Sequence, residues 1–476
     1  MALVLILALV VLLYIKTLNY NYVIDDNVRR EGYMYDVPLV SPSVDFWNTK
    51  PSVWYRLFMI GMHCVNTSII YMLWGWAPAL LFAVHPMSVW GVAWVTGNYY
   101  ATAAYFTLIA YFFIHTFPNI WGVSFAMLMF TSALNSTVCP INFPFLFLFV
   151  GQPWGLAMFF PLVMYLRGKK FNAGIKIRYD INNNVVVRNK EVQVSYVRRF
   201  ALMTKVVARY TYDCIIPNRL GFFTGFGDRL KERAEIWNNF HSFNRHFWMS
   251  LALCLSVFTA GMMINPFGIL WYFVFISIHS QFNLTGQFYA QRYCYLAIIG
   301  LCIVLGTLLQ AYPIVLTVVA TALVIRSSCF ISMWKNVGRI WLNDLETYSN
   351  NPLVYNNLAQ HYLQKDNLPP YMMNYAAFLL FKGESLDPQW EVQMNIGCWF
   401  ARMNMLDQCL EYTKRAAENL GKLENRDNEA MIYTKLKQQV VDLEEIIEKQ
   451  KQGAVNEPAG VDIKTVPGRV TEDIPV

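Results

Sequence analysis

Residues 80–100 read LLFAVHPMSVWGVAWVTGNYY, twenty-one positions without an Asp, Glu, Lys or Arg. An apolar run enters from the left, and Pro86 then stops it as a helix, because proline lacks the amide hydrogen and clashes with the preceding turn. Trp90 and Trp94 follow at helical spacing, as on a helix lying at headgroup level with its rings in the membrane interface. The stretch therefore reads as a membrane span that breaks at the surface.

Composition extends this reading outward. The chain of 476 residues is 56% apolar, 16% aromatic and only 14% charged, against roughly 25% charged for a soluble domain. So little charge cannot cover a water-facing surface. The charges cluster in Arg167–Asn244 and after Arg326, leaving two apolar blocks and two polar ones. With about 20 apolar residues needed per crossing, the candidate spans are Ala2–Ile15, Trp54–Trp74, Ala77–Trp94 (broken near Pro86), Tyr100–Phe113, Ile120–Leu134, Phe143–Leu166, Tyr196–Ile216, Phe247–Met263, Pro266–Ile278, Tyr293–Leu309 and Pro313–Ile325, eleven in all. The seventh carries Lys205 and Arg209, which are costly at mid-bilayer, and sequence leaves open whether it crosses or lies in the interface. Ala2–Ile15 lacks a basic flank and a small-residue cleavage pattern and reads as a retained anchor.

Between Arg167 and Arg209 eleven basic residues face only Asp180 and Glu191, an excess that marks a cytoplasmic segment. Counting spans from it puts the N-terminus in the cytoplasm. The loop 16–53 and everything after Arg326 then lie on the lumenal or extracytoplasmic side. Within the basic segment, alternation on either side of Asn182–Asn184 reads as a hairpin with the asparagines at the turn. The nine cysteines form no CxxC pair and read as small packing residues. No cluster with metal-ligand spacing stands out.

From Asn351 the pattern changes to amphipathic helices. Pro352 and Pro388 head two similar units 36 residues apart, each followed by a second helix, Tyr371–Lys382 and Asp407–Leu420. This resembles tetratricopeptide repeats, whose period is about 34 and whose stacked helices bind proteins. A charged helix, Glu429–Lys451, closes the array, and Gly453–Val476 reads as an extended tail. The expectation is an all-α chain: a membrane domain (1–166), a basic loop with the seventh segment (167–246), further membrane helices (247–326), a repeat-like helical domain (327–452) and a tail (453–476).

Three places have side chains suited to chemistry. Asp25 and Asp26, in YVIDDNV, are adjacent acids near the bilayer surface, able to supply a base whose pKa is set by its neighbour. His85 sits at the break in the second place. Arg292, among Tyr289, Tyr293 and Tyr295 in FNLTGQFYAQRYCYLAIIG, suits a lipid phosphate, which a guanidinium grips through two charge-assisted bonds.

In this order, with His63 and Asn66 before them, the pieces resemble the transmembrane and tetratricopeptide repeat-containing O-mannosyltransferase family of the GT-C glycosyltransferases. The matching positions are Asp25, Asp26, His63, Asn66, Leu80–Pro86, Ala93, Gly97, Asn283, Ala290, Arg292, Tyr293, Tyr295, Gly300, Trp334 and the repeat head at Asn351–Pro352. The resemblance implies a GT-C-like bundle of about 11 spans. It also implies transfer of a sugar from a polyprenyl or dolichyl phosphate to a protein hydroxyl on the outer or lumenal face. Asp25 or Asp26 would be the base, Arg292, Tyr293 and Tyr295 would hold the donor phosphate, and His63 and His85 would line the substrate. No metal or other cofactor is implied beyond the lipid-linked donor. The implied partners are membrane lipid and a protein acceptor bound by the repeats, with no nucleic acid. The implied location is a bacterial cytoplasmic membrane or a eukaryotic endoplasmic reticulum. Three positions depart from the family pattern: Trp90 and Gln291 stand where it has Glu, and Asn98 where it has Arg. A catalytically inactive membrane scaffold with the same architecture is the alternative.

Overall fold

A computed structural model describes residues 1–20, 22–23, 52–134, 140–168, 185–187, 190–192, 195–222, 242–280, 289–365, 367–421 and 427–451. The chain divides into two compact units. The first comprises Met1–Val185, Val192–Leu220 and Ala234–Asn336; the second comprises Val186–Glu191, Gly221–Arg233 and Val337–Val476. Both are helical.

The helices of the first unit are α1 (Ala2–Tyr14), α2 (Ser52–Trp74), α3 (Trp76–Val84), α4 (Asn98–Thr116), α5 (Ile120–Leu134), α6 (Phe143–Val150), α7 (Phe159–Gly168), α8 (Tyr196–Ile215), α9 (Arg245–Ile264), α10 (Pro266–Ser277), α11 (Cys294–Leu309) and α12 (Pro313–Met333). Among the described residues, five helical stretches are long and apolar enough to cross a membrane: Ala2–Asn19, Val53–Trp74, Arg245–Ile264, Gln291–Leu309 and Pro313–Met333. Burial ranks them: 72% of the Gln291–Leu309 window is buried but only 11% of Arg245–Ile264, so α11 is the axis of the bundle and α9 lies on its exposed side. Gly268 and Gly300 let α10 approach that axis, since a Cβ on Gly300 would stand 2.3 Å from the Gly268 carbonyl oxygen. Proline and asparagine punctuate the helices as expected. Asn265 accepts from Gly268 N–H at 2.9 Å and Pro266 opens α10, the ordinary chemistry of a helix start.

Side-chain contacts define the two ends of this bundle. At one, Lys16 Nζ donates to the Ser328 carbonyl (2.8 Å), Ser327 Oγ to the Val84 carbonyl (2.7 Å) and Arg56 Nη1 to the Ala93 carbonyl (2.8 Å). At the other, Asn265 reaches Thr307 (3.1 Å) and Gln152 reaches His115 (3.4 Å). The connections at this second end are Gly75, 117–119, 151–152, Asn265 and 310–312, one to three residues each and free of Asp, Glu, Lys and Arg.

Two expectations change here. Phe143–Leu166 is not one span: α6 ends at Gly151, which has a left-handed φ of 69°, and a 3-10 segment, Pro153–Met158, precedes α7. Asn142 is tied to Val274 and Ser277 at the first end while Gln152 lies at the second, so α6 and α7 form two legs. The segment Tyr196–Ile216, in turn, is not among the long apolar stretches. The partners of α8 lie toward the first end: Ser242 for Lys205, and His85, Tyr289 and Gln291 for its last turn. The basic stretch that precedes α8 therefore enters at the end where loop 16–53 begins and where α12 exits. The sequence count had set them on opposite faces because it took two legs for one and gave α8 a crossing.

The remaining boundaries shift slightly. α12 runs unbroken through 326 to Met333, so the unit boundary follows Asn336. The hairpin pairs β1 (Val185–Val187) with β2 (Lys190–Val192). The turn expected at Asn182–Asn184 lies outside the described residues.

The second unit contains α13 (Val337–Thr347), α14 (Pro352–Leu363), α15 (Pro370–Leu386), α16 (Trp390–Arg402), α17 (Leu406–Gly421) and α18 (Asp427–Lys451). α14 and α15 pack antiparallel, with Gly383 beside Pro352 and Tyr362 beside Tyr375. α16 and α17 repeat the arrangement around Trp390, Met394, Ala416, Ala417 and Leu420, where Leu436 of α18 joins them. The two pairs meet through a buried hydrogen bond from Asn395 Nδ2 to Asn356 Oδ1 (2.9 Å). Pro352 opens its helix behind the Asn351 cap, whereas the helix expected at Pro388 starts two residues later, at Trp390.

Candidate functional site

The first end of the membrane unit gathers most of the described candidate residues. The chain enters as Tyr289–Ala290, makes one 3-10 turn over Gln291–Tyr293 and continues as α11. Arg292 on this turn is only 9% exposed. Its guanidinium lies 5.8 Å from the Trp94 ring and 5.3 Å from the Tyr293 ring, within the range of cation–π attraction. Each wall is braced in turn. Tyr293 stacks on His279 with centroids 4.1 Å apart, and Trp94 stacks on Trp334 at 5.9 Å. A cation so placed has lost most of its water and its position is fixed, two conditions for holding an anion tightly.

The expected phosphate trio divides. Arg292 and Tyr293 stand together, but the Tyr295 hydroxyl turns into the core and meets His63 Nδ1 at 2.8 Å. His63 Nε2 faces the Ala83 carbonyl (3.3 Å). A carbonyl can only accept, so Nε2 carries the hydrogen and Nδ1 accepts from the phenol. Asn66 Nδ2 completes the knot with the Ala101 carbonyl (2.9 Å) and the Tyr295 hydroxyl (3.4 Å). His85 is also closed: Nδ1 accepts from Met87 N–H (3.1 Å) and Nε2 donates to the Cys214 carbonyl (2.9 Å). Both imidazoles are buried with both nitrogens engaged, and each joins helices. Gly91 brings the two halves together, since a Cβ there would stand 2.5 Å from the Tyr295 ring.

Asp25 and Asp26 lie outside the described residues. The segment leading to them begins at this end, where the Tyr20 ring lies 6.0 Å from the Arg56 guanidinium.

Asp213 was missed by the sequence reading. Its carboxylate is fully buried, and Oδ2 accepts from the Tyr289 hydroxyl, from Gln291 Nε2 (3.2 Å) and from Arg209 Nε (3.1 Å). The available signal was Arg209 and Asp213 four residues apart on one helix, a spacing at which opposite charges pair. The structure also accounts for two of the three departures. Gln291 faces Asp213, where a glutamate would bring two carboxylates together. Trp90 is fully buried among Trp94, Phe330 and Trp334, a setting that would leave a carboxylate desolvated.

Comparison with protein-family models, curated proteins and solved structures finds no match. What stands is the class: a predominantly helical protein with, among the described residues, five helices fit to cross a membrane and a guarded cation at one end of its bundle.

Proposed function

We propose that the protein is a membrane glycosyltransferase of GT-C type that takes a sugar from a polyprenyl or dolichyl phosphate and delivers it to a protein hydroxyl. The observation that carries this reading is Arg292, held between Trp94 and Tyr293 at the end of the most buried helix. As the glycosidic bond to phosphate breaks, negative charge grows on the departing oxygen, and a fixed, poorly hydrated guanidinium stabilises it with little reorganisation. Asp25 or Asp26 removes the acceptor proton. Transfer occurs on the membrane face that holds Arg292, and the donor's lipid tail lies among the helices. The helix pairs α14–α15 and α16–α17 are tetratricopeptide-like and bind the acceptor protein.

The test is transfer of labelled sugar from a polyprenyl phosphate by the purified full-length chain and by Arg292→Ala, Asp25→Asn and Asp26→Asn. Loss with Arg292→Ala and with one aspartate variant supports the reading. Full activity in all three removes it.

A second reading, an inactive scaffold of the same architecture, draws on Trp90 filling an aromatic core where the family has an acid. It predicts no transfer from any polyprenyl-phosphate sugar and capture of partner proteins by the C-terminal unit.

A further inference from the structure

The C-terminal part of α8 holds both strands of chain that bring rings to Arg292. On one side Cys214 accepts from His85, which caps the 3-10 turn Pro86–Gly91 leading to Trp94. On the other, Tyr210 Oη accepts from Ala290 N–H at 3.0 Å, and Asp213 takes Tyr289 and Gln291 on a single oxygen. Among the described residues of the membrane unit, Asp213 is the one buried carboxylate. Its Oδ1 has no hydrogen-bond partner, so its donors converge on Oδ2. Gln291 Nε2 also donates to the Arg219 carbonyl (2.5 Å), which ties the turn to the chain just beyond α8. Arg209 Nε supplies the compensating charge, without which a buried carboxylate is strongly disfavoured.

We infer that Asp213 is a positioning residue for Arg292: by fixing Tyr289 and Gln291 from α8 it sets the 3-10 turn that aims the guanidinium between Trp94 and Tyr293. The ligand drawn to that guanidinium is the lipid phosphate of the proposed function, so this part rests on that reading. The positioning itself does not. Arg292 directly follows Gln291, and a one-residue slip or rotation of a 3-10 turn would swing its side chain away from Trp94. The pairing is also directional, an acid on α8 and an amide on the turn, and the amide serves the Arg219 carbonyl as well, so a carboxylate at 291 would face two acceptors.

The experiment compares full-length wild type with Asp213→Asn, Asp213→Ala and Gln291→Glu. Phenylglyoxal labelling of Arg292, read by mass spectrometry, reports the side chain's shelter independently of any activity. Binding of undecaprenyl phosphate in nanodiscs reports its use. Breaking one partner of a buried charged hydrogen bond costs enough to change either readout about tenfold or more. All three variants are expected to label faster and bind more weakly, Asp213→Ala more than Asp213→Asn, which keeps an oxygen for Tyr289 and Gln291. Variants that label like wild type, or an Asp213→Ala no worse than Asp213→Asn, overturn the inference. If wild type binds no undecaprenyl phosphate, the proposed function fails and labelling alone decides the role of Asp213.

Discussion

The imidazole of His279 lies flat on the phenol ring of Tyr293, centroids 4.1 Å apart and planes within 3°. Burial, and then the Arg292 charge, depress the His279 pKa to about 3. The unfolded chain holds its proton near the ordinary value of 6.5, so between those limits the unfolded state binds more protons and acid favours unfolding. The contribution to stability is whole above pH 6.5 and is lost as pH falls toward 3. The thermal midpoint of the detergent-solubilised chain is expected to drop between pH 7 and 4, and His279→Phe, which keeps the stack, to drop less. Equal slopes would remove His279 as the cause.

His63→Leu leaves the Tyr295 hydroxyl and the Ala83 carbonyl without their imidazole partner. Stranding buried polar groups costs about 1–3 kcal/mol each, so the thermal midpoint should fall. Because the His63 ring packs against Tyr14, Phe82 and Tyr295 while the rings beside Arg292 are Trp94 and Tyr293, undecaprenyl-phosphate binding measured at a temperature where the variant is folded should stay near wild type. A selective loss of binding without loss of stability would instead make His63 a ligand contact.

The placement of α8 is testable by chemistry. In sealed vesicles, single cysteines at Lys16 and Tyr196 and the native, exposed Cys329 should react with an impermeant maleimide from one side. Cysteines at Asn119 and Gln310, in the short connections of the opposite end, should react from the other. Labelling of Tyr196 and Cys329 from opposite sides would restore α8 as a crossing.

In the C-terminal unit, Trp390 packs with Met394, Ala416, Ala417, Leu420 and Leu436. Trp390→Ala should cost about 3–5 kcal/mol and open α16–α18 to proteolysis. Cleavage at the wild-type rate would show that this cluster does not hold the array.

How far these features could be read in sequence depends on the range of the signal. Hydropathy and proline located most helices within two or three residues, because the punctuation is local: Pro86 breaks where it should, and Pro266 and Pro313 open helices. The Gly151–Pro153 break escaped because an apolar run has the same composition on both legs of a hairpin. For α8, four basic residues among apolar ones fit either a tolerated span or an interfacial helix, and only its partners distinguish them. The aromatic walls of Arg292 were half legible. Tyr293 is its neighbour in sequence, whereas Trp94 comes from nearly two hundred positions away and Tyr295 turns inward. Asp213 escaped because its meaning lies in Tyr289 and Gln291, which no local pattern connects to it.

The one- to three-residue links at the uncharged end of the membrane unit also set how the bundle can move. A single residue such as Gly75 or Asn265 holds the ends of two helices within a few ångströms, since each adds at most about 3.6 Å of reach. Those helices cannot part there. At the opposite end the described ties are side-chain hydrogen bonds, Lys16 to Ser328, Ser327 to Val84 and Arg56 to Ala93, which can break and re-form, so any splaying pivots about the end pinned by covalent links.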